Sequence, residues 1–73
     1  MDNDKRRQVL GDAIREERER QGLSQRQLAR MIGSSTHSYI VEIEKGTKSV
    51  GFDKLCSLAD ALGVEVSYFF ARF

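Results

Sequence analysis

The chain contains no proline anywhere, and its β-branched residues cluster little, so the usual signals of strands and hairpins are weak. Cys56 is its only cysteine, which excludes an intramolecular disulfide and points to a reducing cytoplasm. Beside Leu55, Leu58 and Ala59, that thiol reads as a partly buried small hydrophobe on a helix, not as a reactive group. No apolar run approaches the roughly 18 residues that span a bilayer. The opening MDNDKRRQ is charged and lacks an apolar core, so it does not read as a secretory signal. Charge of one sign is also missing, since the formal net charge is +1.

Size sets a further bound. Seventy-three residues make one domain, and a chain of this length buries only about 60% of its unfolded surface, which disfavours a self-contained catalytic cleft. The 40% hydrophobic and 32% charged fractions suit a soluble helical domain. Charge position says more than the total. Between Ser24 and Ser49, Arg26, Arg30, Lys45 and Lys48 outnumber Glu42 and Glu44. Asp2, Asp4, Asp12, Glu16, Glu17 and Glu19 lie toward the N-terminus, a polarity compatible with a basic face elsewhere.

Catalytic and metal chemistry find no constellation. His37 is the only histidine, and no second histidine or cysteine lies at ligand spacing, so no metal site is indicated. The serines have no triad partners and read as helix caps. No enzyme, cofactor or small-molecule substrate is expected.

Glycines punctuate a five-helix, all-α bundle. A first helix is expected from about Arg7 to Gln21, with Leu10, Ala13 and Ile14 on one stripe and Gly22 as its stop. Residues 1–7 form a polar arm, and residues 8–73 form the domain. Arg15, Arg18 and Arg20, alternating with Glu16, Glu17 and Glu19, read mostly as a solvated face. Ser24-x-x-Gln27 fits a capping box for a second helix that buries Leu28, Met31 and Ile32 and ends at Gly33. A third helix opens among Ser34, Ser35 and Thr36, turns Ile40 and Ile43 inward, and closes at Gly46. At about 100° per residue, His37, Ser38, Val41, Glu42 and Lys45 then point outward. Gly51 caps a fourth helix that carries Phe52, Leu55, Leu58 and Leu62 to Gly63, with Asp53 in its first turn. Val66, Phe69, Phe70 and Phe73 share one face of a fifth helix beginning near Glu65.

Two short helices joined by a turn, the second opening on hydrogen-bonding side chains, have the form of a helix-turn-helix. Its second helix lies in the DNA major groove while its first crosses the backbone. Thr36, His37 and Ser38 suit base edges, which present distinct donor and acceptor patterns there. For His37, a plain exposed helix residue remains the alternative.

The segments LGDAIREERERQGLSQRQLA, SYIVEIEKG, and LCSLADALGV with YFF after it resemble the lambda Cro and repressor type of small DNA-binding regulators. The resemblance runs from about Leu10 to Phe70 and extends to the controller proteins of restriction–modification systems. It implies a lambda repressor-like DNA-binding domain in which Gln25 contacts a phosphate. It also implies that Thr36, His37, Ser38 and Glu42 face bases. Lys45, Thr47 and Lys48 approach the sugar–phosphate backbone, with Arg26 beside Gln25 among the phosphate contacts. Arg18 and Glu44 match a structural ion pair. The chain departs from the pattern in three places. One extra residue between Gly33 and Glu44 lengthens the turn near Ser34 or Ser35. Glu17 falls where an apolar residue is usual, so the first helix is expected to pack less fully there. Glu42 is acidic, repelling phosphates yet able to accept from a cytosine amino group.

Four aromatics crowd the last six residues. Tyr68, Phe70 and Phe73 are therefore expected to face a second copy, since a large exposed aromatic patch is unusual on a monomer. The resulting expectation is a cytoplasmic homodimer that reads a palindromic operator in double-stranded DNA, without contact with a membrane. The alternative is a protein-interaction module, antitoxin-like or adaptor, with weak or no DNA binding.

Overall fold

Asp2 opens the first helix by accepting the backbone N–H of Lys5 at 2.7 Å, and α1 then runs from Asn3 to Arg20. This computed structural model describes residues 1–73. Residues 3–7, assigned from the sequence to a polar arm, are instead the first turns of α1. They carry no apolar stripe; the cap and the local side-chain bonds of Arg6 to Asn3 and Arg7 to Asp4 extend the helix.

Ser24 and Gln27 make a reciprocal capping box, and α2 spans Gln25–Met31. Its stop is a tight one. Gly33 takes φ +76°, letting the Ser34 N–H reach the Ala29 carbonyl at 2.9 Å and the Gly33 N–H reach Arg30 at 3.1 Å. The third helix, α3, spans Ser38–Lys45 and starts later than the run of hydroxyls suggested. Those hydroxyls build the turn instead. Ser34 Oγ donates to the Thr36 carbonyl at 2.8 Å, and Thr36 Oγ1 accepts the Ser38 N–H at 3.3 Å. Beyond it, α4 covers Phe52–Leu62.

The chain closes with a 3₁₀ helix, Val66–Phe70, so the molecule has four α-helices and one 3₁₀ turn where five helices were expected. At three residues per turn, the tail cannot hold the expected four-residue stripe on one face. Phe69 is fully buried, whereas Phe70 and Phe73 stay exposed.

The core joins Leu10, Ala13 and Ile14 of α1 to Leu28, Ile40, Ile43, Leu58 and Phe69, with Ala29, Leu55, Ala59 and Leu62 completing it. Of the residues expected in it, Ile32 is only half-buried against it, and Met31 and Phe52 lie outside. Met31 sits at the rim between the end of α2 and Ser57, Asp60 and Ala61 of α4. Phe52, at the first turn of α4, is 71% exposed and borders a groove with Phe70 and Phe73. Cys56 is free and half-buried.

The supposed solvated face of α1 is partly internal. Glu17 and Arg18 are buried, and Glu17 is fully partnered rather than loosely packed. It accepts from Arg20 and from Gln21 Nε2 at 2.7 Å; the same amide donates to the Leu62 carbonyl at 2.6 Å. Hydrogen bonds from Arg20, then Gln21, hold the Glu17 carboxyl down at about 2. No helix is long and apolar enough to cross a membrane.

Candidate nucleic-acid interface

The third helix is held from behind. Gly11 of α1 presses against the backbone of Ile43 and Glu44. Ile40 and Ile43 anchor in the core, and Glu44 is buried among polar partners. Arg18 grips Glu44 with Nε on Oε2 at 2.7 Å and Nη2 on Oε1 at 3.0 Å, while its Nη1 donates to the Leu23 carbonyl at 2.7 Å. Hydrogen bonding to Glu44 raises the Arg18 guanidinium still further above its ordinary value. Bidentate geometry fixes orientation as well as distance, so α3 cannot roll about its axis without breaking this pair.

Gln25 belongs to the same network. Its Nε2 donates to Glu44 Oε1 at 3.1 Å, tying the start of α2 to the end of α3. An amide nitrogen carries two hydrogens, so one remains for a further acceptor. The engagement of Gln25 with Glu44 is not legible in the sequence, which marks only its place beside a capping serine.

With its inner face locked, α3 turns Ser38, Glu42 and Lys45 to solvent. Thr36 is exposed just before the helix, and His37 and Val41 are half-buried at the edge. Of the four residues expected to face bases, Thr36, Ser38 and Glu42 are therefore exposed, Thr36 and Ser38 in contact through their hydroxyls at 3.2 Å, and His37 is half-buried. Thr47 and Lys48 are exposed in the loop after α3, and Thr47 Oγ1 donates to the Glu42 carbonyl at 3.2 Å. Lys48 Nζ lies 5.6 Å from the centre of the Tyr39 ring, and Lys54 reaches the same ring at 5.9 Å. Burial pushes the Tyr39 hydroxyl up from its ordinary value. These two cations on one aromatic were missed in the sequence, where Tyr39 and Lys54 are far apart in register.

Arg26 is exposed on α2 and borders a hollow with Thr36 and His37, whereas Tyr68 does not line the groove that Phe70 and Phe73 share. The Tyr68 ring packs edge-on against Phe69 at 5.7 Å, and the Phe70 and Phe73 rings meet each other at 5.5 Å. Tyr68 faces Glu17, and burial with hydrogen bonding to that carboxylate raises its hydroxyl. Phe70 and Phe73 instead line an apolar groove of about 380 Å³ with Leu10, Phe52 and Leu55.

Two braced short helices with an outward polar face define a helix-turn-helix domain. The chain belongs to the HTH_3 helix-turn-helix family, whose model matches residues 14–69. It is 43% identical over 61 residues to the uncharacterised HTH-type transcriptional regulator y4wC of Sinorhizobium fredii. That alignment covers 84% of this chain and 42% of the relative, so the chain spans less than half the length of the curated relatives it matches. Among solved structures, it resembles the restriction–modification controller protein C.AhdI of Aeromonas hydrophila, with TM-score 0.83 and 34% identity. The match covers 88% of this chain and 96% of the controller. The clp gene regulator ClgR of Corynebacterium glutamicum is similar at TM-score 0.84 and 34% identity, covering 89% of this chain and 68% of ClgR. The resemblance to Cro- and repressor-type proteins and to restriction–modification controllers thus extends from motif to fold.

Proposed function

We propose that the domain binds double-stranded DNA in a sequence-specific manner as a homodimer and regulates transcription by occupying a palindromic operator. The observation carrying this reading is the locked rear face of α3 opposite a side where Thr36, Ser38 and Glu42 are exposed and His37 is half-buried. Such a helix keeps its side chains in register with base edges, whose donor and acceptor pattern selects sequence. Gln25, Arg26, Lys45, Thr47 and Lys48 surround that face and supply phosphate contacts. Family membership, and the names of C.AhdI and ClgR as controller and regulator, support the same class of activity.

The exposed pair Phe70 and Phe73 supports pairing of two copies. Twofold symmetry then sets the two α3 helices about one DNA turn apart, on the order of 34 Å. A reducing cytoplasm fits the single free thiol.

Selection of bound duplexes from a random pool, followed by affinity measurement against salt, tests the proposal. Recovery of an inverted repeat, with affinity falling steeply as salt rises, is the expected result. Replacing Ser38 and Glu42 is expected to change the selected sequence. Absence of any enriched duplex at low salt overturns the reading in favour of an interaction module. The exposed carboxylate of Glu42 in the middle of α3 is the feature that favours that second reading.

A further inference from the structure

The chain's arginines divide sharply by partner. Arg7, Arg15, Arg18, Arg20 and Arg72 each meet a carboxylate, and Arg6 donates to Asn3. Arg26 and Arg30 alone have no side-chain partner, and both are exposed. They stand one helical turn apart on α2, so their side chains leave from neighbouring points on one face.

Between these two guanidiniums and the turn at residues 34–37 lies the largest hollow of the molecule, about 520 Å³, with Ala29 as its one apolar member. Ser34 Oγ is committed to the Thr36 carbonyl, while the Ser35 side chain is exposed at the rim. Two uncompensated guanidiniums beside the one hydroxyl without a partner, that of Ser35, form a donor-rich seat. The planar fork of arginine matches the oxygens of a phosphate.

We propose that this hollow seats a phosphate of the DNA backbone flanking the base pairs that α3 faces, with Arg30 as a second grip beside Arg26. The proposal rests on the DNA-binding reading and extends its footprint along α2 from Arg26 to Arg30. A backbone phosphate is favoured over a free anion by continuity. Thr36 and His37 border the hollow and also begin the surface of α3, so an occupant of one adjoins an occupant of the other. The seat contributes affinity and position, not sequence choice, because every nucleotide carries the same phosphate.

Binding of a selected duplex by the whole chain, followed by fluorescence anisotropy across a range of salt, provides the test. Arg26→Ala and Arg30→Ala together are expected to reduce the slope of log affinity against log salt by about 0.9, the contribution of the one phosphate they share, and each single change by part of it. Binding should weaken several-fold by the same factor on the best duplex and on mismatched ones. Thermal unfolding should stay unchanged, since neither side chain holds the fold together. Arg30→Lys should keep the slope and lose part of the affinity, because an ammonium preserves charge without the fork.

An Arg26→Ala/Arg30→Ala double variant with the wild-type slope overturns the seat while leaving DNA binding by α3 intact. A wild-type chain that binds no duplex overturns the underlying reading instead, so the two failures are distinct. A parallel titration with inorganic phosphate, followed by amide shifts at residues 34–37, separates the source of the anion. Weak, unsaturated shifts agree with a backbone seat. Saturation below millimolar concentration assigns the hollow to a free anion and overturns the proposal.

Discussion

At Gly11 the first helix approaches the third so closely that a Cβ would stand 2.3 Å from the Ile43 carbonyl oxygen and 3.0 Å from that of Glu44. Both obstacles are backbone atoms of a helix anchored in the core, so neither can step aside as a flexible side chain would. Alanine normally stabilises a helix interior relative to glycine by about 1 kcal/mol. Here the overlap outweighs that preference. Gly11→Ala is expected to lower stability by about 1–3 kcal/mol, the range for overpacked cores, read as a fall in the urea midpoint. A variant as stable as the wild type contradicts the close approach of α1 and α3.

The Arg18–Glu44 pair predicts an asymmetry between breaking it and replacing it. The Arg18 side chain is 10% exposed and that of Glu44 4%, so removing one partner strands a charge in a poorly hydrated place. Glu44→Ala is expected to cost about 3 kcal/mol or more, and it also deprives Gln25 of its acceptor. Changing Arg18 and Glu44 together to methionine should cost much less, because no charge is left alone. DNA affinity should nevertheless fall in the double variant, since apolar packing does not fix the roll of α3 as two directed bonds do. Denaturation and duplex binding, measured on both variants, separate the two roles.

What could be read in advance followed from strong local signals. Ser24 and Gln27 spell out their capping box, and the glycines at positions 22, 33, 46 and 63 mark where helices stop. The expected start of α1 was late because its first turns depend on caps and charge pairs, which leave no hydrophobic period. Likewise, the hydroxyls of Ser34–Thr36 signal both a cap and a turn, and only three-dimensional bonding shows that the turn takes them. Gly11, a glycine inside a helical pattern, hints at close packing but does not say against which helix. Glu17 was misjudged for a different reason. Its partners Arg20 and Gln21 stand at ordinary helical spacing, but Tyr68, and the Leu62 carbonyl that holds Gln21, come from distant segments that no spacing rule joins to it. The site residues of α3 were legible as a face, but the engagement of Gln25 with Glu44 and the solitary state of Arg26 and Arg30 are properties of the assembled fold.

Glu17 also makes stability depend on pH in a definite direction. Its carboxyl titrates at about 2 in the folded chain against 4.5 for an unperturbed glutamate. A depressed folded value means that stability from this group is fully present above the unfolded value. It is lost as pH falls from about 5 toward 2, because the unfolded chain takes up the proton first. Glu17→Gln should therefore be less stable than wild type at neutral pH, and the difference should shrink steadily across that window. Thermal midpoints at several pH values follow the effect. A constant gap between the two proteins from neutral pH to pH 3 would show that Glu17 is not held ionised by Arg20 and Gln21.

The three phenylalanines of the tail should respond in opposite ways to truncation, and this contrast tests the proposed dimer. Phe69 is fully buried against the core, so Phe69→Ala is expected to cost about 3–5 kcal/mol of folding stability. Phe70 and Phe73 are 43% and 47% exposed and touch each other edge-on, so cutting either to serine removes little from the monomer. If a second copy covers them, each such change gives up roughly 1.5–3 kcal/mol of aromatic burial between subunits, which raises the dimer dissociation constant about tenfold or more. Tyr68 lies on the other side of the tail, beside Glu17, and Tyr68→Phe should leave association unchanged. Sedimentation equilibrium of the variants measures this directly. Duplex binding by Phe73→Ser should weaken on a full inverted repeat and match wild type on an isolated half-site, because only the full repeat draws on coupling between copies. If Phe73→Ser and Phe70→Ser sediment as the wild type does, pairing through this groove is wrong, and the symmetry of the operator must come from another face.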